Sequence, residues 1–218
     1  MFSKILRLEF KNYFKSMLLL LIILNVVIGY IVKNLTQLMT FIKNKPSVCL
    51  LYTLFVLIAI AYSGTFITTI NFEKEKNSNI YHRYFVLPLN STAMFIIKLA
   101  PALFVNLLIV IVWGIFIWVK TQVVGLGFFF FLLLTSAIFS IGCLLIIYYV
   151  NLTIKNTAIV SGVKLSLIFL FSYLPQLVIS YNLSIPATKI CLIVFSWAVF
   201  FVGIVLIRRI NSEKIILQ

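Results

Sequence analysis

Acidic residues are nearly absent from this chain. Its 218 residues include four glutamates, Glu9, Glu73, Glu75 and Glu213, and no aspartate. Charged residues of both signs make up 10% of the sequence, against about a quarter in soluble domains. So few charges cannot cover the surface of a water-soluble protein of this size, and 63% of the residues are hydrophobic. Lipid is therefore the expected solvent for most of the chain.

Histidine, cysteine and glycine are also scarce, which limits the chemistry available. His82 is the only histidine, and Cys49, Cys143 and Cys191 lie far apart in apolar runs. These residues do not form a cluster with the spacing of a metal site, and no acid, base and nucleophile combination indicates catalysis. The eight glycines do not form the G-x-x-x-x-G-K-[ST] loop that cradles ATP. We predict no catalytic residue, no metal site and no cofactor in this chain.

Six apolar runs predict six membrane-spanning helices, because a helix needs about 20 apolar residues to cross the hydrocarbon core. The predicted spans are residues 17–32, 48–70, 99–119, 124–150, 157–180 and 186–207. The fold class is therefore all-α and polytopic, with residues 1–218 forming a single transmembrane domain. Lys164 interrupts the fifth run, and we expect its ammonium group to reach the inner interface. Residues 173–188 form either a small re-entrant hairpin or the end of the fifth span.

The basic residues predict the orientation. Of the 18 lysines and arginines, 13 lie on one side of the predicted spans and five on the other. The positive-inside rule then places both termini in the cytoplasm. The polar loops are rich in Asn, Lys and Ile, which fits an AT-rich bacterial genome, so we expect a bacterial cell membrane. The formal net charge of +14 is better explained by anchoring to anionic membrane lipid than by nucleic-acid binding. The spans contain neither Asp nor Glu, which argues against a proton- or cation-coupled carrier.

The first 16 residues have an amphipathic pattern that predicts an interfacial helix on the inner leaflet. The apolar side chains recur at helical spacing and comprise Phe2, Ile5, Leu6, Phe10, Tyr13 and Phe14. Lys4, Arg7, Lys11 and Lys15 form the opposite, basic stripe. An ordinary basic anchor for the first span is the alternative interpretation.

The longest polar stretch, residues 71–98, connects the second and third predicted spans. It begins with the alternating charges Glu73-Lys74-Glu75-Lys76 and continues with aromatic residues that include Tyr81 and Tyr84. Pro88 breaks the pattern, and Asn90, Ser91 or Thr92 can cap the next helix. The stretch is either a short helix with one surface free for a protein partner or a solvated loop.

This layout resembles the permease subunits of ABC-2 type transporters. The resemblance covers the six-span topology, the Glu73–Lys76 cluster, the turn at Pro88-Leu89-Asn90-Ser91-Thr92, and Lys98 at the entry to the third span. It implies that residues 71–98 contain a cytoplasmic coupling helix. The implied contacts with an ATPase are Glu73, Lys74, Glu75, Lys76, Tyr81 and Tyr84.

The resemblance further implies an exporter driven by a separate ABC ATPase subunit, which would hold ATP and Mg²⁺, with a second permease subunit completing a homodimer or heterodimer. The cargo would be amphipathic or hydrophobic, such as a peptide or toxin, a lipid or a drug. A haem-handling permease of cytochrome maturation is a less favoured member of the same class. The alternative function is a non-transporting membrane scaffold or immunity subunit, and a membrane enzyme is less favoured again.

Overall fold

The computed structural model describes residues 2–41, 46–70, 72, 75, 91–121, 125–154, 158–162, 164 and 185–209. These residues are helical almost throughout, and no strand occurs among them. Five long helices are α1 (Phe2–Phe41), α2 (Pro46–Thr68), α3 (Ser91–Thr121), α4 (Leu126–Thr153) and α5 (Ile185–Arg208). The predicted all-α class is confirmed for this part of the chain.

Four helical segments are long and apolar enough to cross a membrane. They are Ser3–Asn34, Ile96–Lys120, Leu126–Thr153 and Pro186–Arg208, and Phe55–Thr68 in α2 is a shorter apolar segment. Together they indicate a membrane-embedded protein. The number of six spans stays a prediction, because most of the fifth predicted span, residues 157–180, lies outside the described residues.

The helix at the N-terminus is longer than predicted. The boundary expected between residues 16 and 17 does not exist, because α1 runs without a break from Phe2 to Phe41. Composition changes from amphipathic to apolar at that point, but no glycine or proline interrupts the backbone hydrogen bonds there. One buried face continues across the change of composition; its members are Glu9, Tyr13, Met17, Leu24, Ile28 and Val32.

The start of α3 falls among the residues predicted to cap it. The helix begins at Ser91 and continues through Lys98 into the apolar run that starts at residue 99. It therefore takes up the last eight residues of the predicted linker 71–98. Helices commonly begin at a polar capping residue before the apolar run.

The helices pack as a bundle in which α2 and α3 occupy the middle. α1 packs on α2 and α3, both of these pack on α4, and α5 lies along α4. The outer face of α1 exposes Leu18, Leu19, Ile22 and Val26. A soluble monomer rarely exposes contiguous apolar patches of this kind, whereas lipid accommodates them without penalty.

Two glycines set the distance between α4 and α5. A Cβ atom at Gly142 would lie 2.7 Å from the backbone nitrogen of Phe200, and one at Gly203 would lie 2.9 Å from Cβ of Leu145. The aromatic rings of Phe139 and Phe195 stack beside this contact, with centroids 5.9 Å apart. In lipid, where no hydrophobic force drives helices together, close packing through small residues is a main source of helix association.

Candidate functional site

A buried ion cluster joins the N-terminal helix, the third helix and the segment that follows α2. Lys98 Nζ lies 2.9 Å from Glu9 Oε2 and 3.0 Å from Glu75 Oε1. The side chain of Lys98 is 4% exposed, that of Glu9 10% and that of Glu75 22%. We name Glu9, Lys98 and Glu75 the ion triad.

Each member of the ion triad is positioned by a different part of the fold. Glu9 lies two turns into α1 on its buried face, and Lys98 lies two turns into α3. Glu75 lies in a helical position seven residues beyond the end of α2. Because the ammonium group donates to both carboxylates, it holds α1 and the segment after α2 against the same point of α3.

Burial makes the ion triad sensitive to the loss of its cation. Taking charges out of water is unfavourable, and their mutual attraction offsets this only while the partners remain together. Removing Lys98 would leave two carboxylates near one another at a buried site. Removing Glu75 would leave the Lys98–Glu9 pair in place. The lysine is therefore the residue on which the local arrangement depends most.

Further contacts fix the same region. The Tyr13 hydroxyl donates to the carbonyl oxygen of Thr68 at 3.3 Å, which joins α1 to the last turn of α2. Beyond that turn, the ring of Phe72 is buried and packs edge-on against Tyr148 of α4, with centroids 4.7 Å apart. The described residues after α2 are therefore packed against α3, through Glu75, and against α4, through Phe72. They do not form a freely solvated loop at this end of the linker.

The residues predicted from sequence fall into two groups. Lys4, Arg7, Lys11 and Lys15 lie on the exposed face of α1, as the basic stripe predicts. Of the predicted coupling residues, the structure describes Glu75, whose carboxylate faces Lys98. The other five, Glu73, Lys74, Lys76, Tyr81 and Tyr84, lie outside the described residues, so their contacts with an ATPase stay a prediction.

Sequence reasoning missed Glu9 as a site residue. It was one acid within a basic segment, and its partner lies 89 positions away. A signal was nevertheless present: Glu9 precedes Tyr13 by four positions and so interrupts the apolar face of an amphipathic helix. A carboxylate on a packed face requires a cation nearby.

A second polar contact joins three helices inside the bundle. The side-chain amide of Asn106 in α3 donates to the Ser140 hydroxyl in α4. On its other side, Asn106 Oδ1 lies so close to Gly64 of α2 that any larger residue there would collide with it. Hydrogen bonds of this kind between polar side chains of neighbouring helices stabilise helix association in lipid.

Lys164 is buried against α2. Its Nζ lies 5.5 Å from the ring centroid of Phe66, which belongs to the last turn of α2, and the reach of the Lys164 ammonium group to the inner interface stays a prediction. Its carbonyl oxygen accepts a 2.5 Å hydrogen bond from the Tyr62 hydroxyl. The aromatic face of α2 provides an electrostatic contact that a sequence pattern does not show.

Comparison of this chain with family models, curated proteins and solved structures finds no match. Its function is therefore inferred from the contacts described above. Within the described residues, no group of three or more His, Cys, Asp or Glu side chains could hold a metal ion. The ion triad, at the junction of α1, α3 and the segment after α2, is the strongest candidate for a functional site.

Proposed function

We propose that this chain is the transmembrane permease subunit of an ATP-driven exporter of the ABC-2 type. A separate ATPase subunit would bind and hydrolyse ATP with Mg²⁺, and a second permease subunit, identical or related, would complete the translocation path. The chain would lie in a bacterial cell membrane with both termini in the cytoplasm.

The ion triad is the main observation that supports the proposal. An exporter without its own ATP site must receive force through a part of the chain that a motor can contact and that is firmly attached to several spans. The linker between α2 and α3 meets the second requirement at its beginning, since Glu75 contacts Lys98 and Phe72 packs on Tyr148. A displacement of this linker would be transmitted to α1, α3 and α4 together.

The apolar character of the bundle supports the proposed cargo class. The candidate spans expose large aliphatic and aromatic side chains, including Phe104, Phe116 and Trp197. A path bounded by such side chains suits an amphipathic peptide or toxin, a lipid or a drug better than an ion, because an ion in hydrocarbon needs charged or carbonyl ligands.

Affinity purification of the full chain from its native membrane tests the proposal. We expect a P-loop ATPase to co-purify, and we expect the eluate to hydrolyse ATP. Replacing Glu73 and Glu75 with lysine should reduce both the amount of ATPase recovered and the rate of hydrolysis. Size-exclusion chromatography of the E73K/E75K variant must show folded protein, since Glu75 also contacts Lys98.

Two outcomes would each contradict one part of the proposal, either the docking site or the exporter function. A folded E73K/E75K variant that retains full ATPase binding and hydrolysis would show that this end of the linker is not the docking site. Recovery of a stable partner without any ATP hydrolysis would instead support the non-transporting scaffold or immunity subunit.

A further inference from the structure

The exposed face of the first four turns of α1 is positively charged throughout. Lys4, Arg7, Lys11 and Lys15 are all exposed, and Glu9 is the only acidic residue in the first 41 positions. At about 100° per residue, the four cations fall within about 80° of one another around the helix axis and roughly opposite Glu9. They extend over about 16 Å along the axis.

The buried contacts of α1 set this orientation. The Glu9–Lys98 ion pair and the hydrogen bond from Tyr13 to Thr68 both lie on the packed side of the helix. They fix the rotation of α1 so that its single carboxylate is turned inward and neutralised locally. The outward face is left with cations that, within the described residues, have no carboxylate partner.

The same outward face becomes apolar one turn later. After Lys15, the exposed side chains on this side of α1 include Leu18, Leu19, Ile22 and Val26. Asn25 is exposed there too, and its Oδ1 accepts a hydrogen bond from Trp113 Nε1. Because α1 is one uninterrupted helix, the cationic stripe is followed directly by the exposed apolar surface of a candidate membrane span. If this span crosses a bilayer, the four cations would lie at the level of the lipid headgroups.

Apolar side chains flank the cations. Leu8 is 57% exposed and Phe14 39% exposed, on either side of the stripe. An acidic protein surface would offer little to such side chains, whereas a membrane interface accepts apolar groups and cations together. The combination therefore favours lipid over a soluble protein partner.

We propose that Lys4, Arg7, Lys11 and Lys15 form a binding surface for anionic phospholipid headgroups, in the leaflet where α1 begins. The lipid phosphates would neutralise the stripe, while Leu8 and Phe14 insert between the headgroups. Binding of this kind needs neither the ATPase nor a cargo, so it is separable from the proposed transport function.

Native mass spectrometry of the full chain in detergent provides the test. The probes are phosphatidylglycerol and phosphatidylcholine with identical acyl chains, added over a range of concentrations. We expect the wild-type chain to prefer phosphatidylglycerol. In the K11Q/K15Q variant the preference should fall by roughly tenfold or more, because two of the four cations that attract the anionic headgroups are removed.

Two control variants make the result specific. K33Q/K120Q removes the same charge from exposed positions at the opposite end of α1 and in α3, and it should retain the preference. K11R/K15R preserves the charge and should also retain it. All variants keep the Glu9–Lys98 pair, so their melting temperatures should match that of the wild type.

Two results would overturn the proposal. K11Q/K15Q could retain the preference for phosphatidylglycerol, or K33Q/K120Q could lose it to the same extent. If K11Q/K15Q retains the preference and also loses recovery of the ATPase from native membranes, the cationic face is a protein-docking surface.

Discussion

Glu9 and Lys98 are 89 positions apart in the sequence, yet their side chains form an ion pair with 2.9 Å between Nζ and Oε2. The pair connects the N-terminal helix to the third helix at a place where neither side chain has much access to solvent. Glu75 meets the same ammonium group from the segment that follows α2. The three residues tie together the parts of the chain on which the proposed coupling depends.

The Lys98→Met variant should be strongly destabilised. It keeps most of the side-chain volume and leaves two buried carboxylates without their shared cation, for which we expect a loss of about 3–5 kcal/mol. Thermal unfolding in detergent measures the change. Lys120→Met is the matched control, since Lys120 is an exposed lysine of the same helix and its replacement should change stability by less than about 0.5 kcal/mol. Equal melting temperatures for the two variants would contradict the structural role of Lys98.

Exchanging the charges of Glu9 and Lys98 should recover part of the stability. The single variants E9K and K98E each bring like charges together, whereas E9K/K98E restores attraction between the two positions. The recovery should be incomplete, because Glu75 would then face a glutamate. The yield of folded, monodisperse protein and its melting temperature give the comparison. Strictly additive effects of the two substitutions would show that the residues do not interact.

The amphipathic pattern predicted the exposed basic stripe correctly, but composition could not reveal where the inward face packs. Hydropathy marks a change of solvent and not the end of a helix, so α1 continues through residue 16 and α3 begins at the predicted capping residues before the apolar run at residue 99. The Glu9–Lys98 pair depends on the packing of α1 against α3, which no local pattern encodes. The burial of Lys164 over Phe66 is a long-range contact of the same kind.

The hydrogen bond between α1 and α2 should make a small, measurable contribution. Tyr13→Phe removes the donor to the Thr68 carbonyl oxygen and leaves the ring in place. We expect a loss of about 0.5–1.5 kcal/mol in unfolding free energy. Tyr30→Phe is the control on the same helix, because Tyr30 is exposed and its hydroxyl should contribute little. A loss of the same size for both variants would indicate a general effect of hydroxyl removal.

The close approach of α4 and α5 should not tolerate a side chain at Gly142. In Gly142→Ala, the new methyl group would lie within 3 Å of the Phe200 backbone, which can retreat only if α5 moves. We expect a destabilisation of about 1–3 kcal/mol, measured by thermal unfolding. Gly127→Ala in the first turn of α4 meets nothing within 4 Å and should be neutral or slightly stabilising. A neutral Gly142→Ala would mean that the two helices are not in such close contact.

The side of the membrane on which the linker between α2 and α3 lies is the central requirement of the proposed function. The side of the membrane is measured in a chain whose native cysteines have been replaced. One variant then carries a single cysteine at Asn77 in the linker, and a second carries one at Gln122 between α3 and α4. A membrane-impermeant maleimide applied to intact cells should label Gln122→Cys and leave Asn77→Cys unlabelled until the cells are permeabilised. Labelling of Asn77→Cys in intact cells would place the linker outside, where no ATPase could reach it, and would contradict the account.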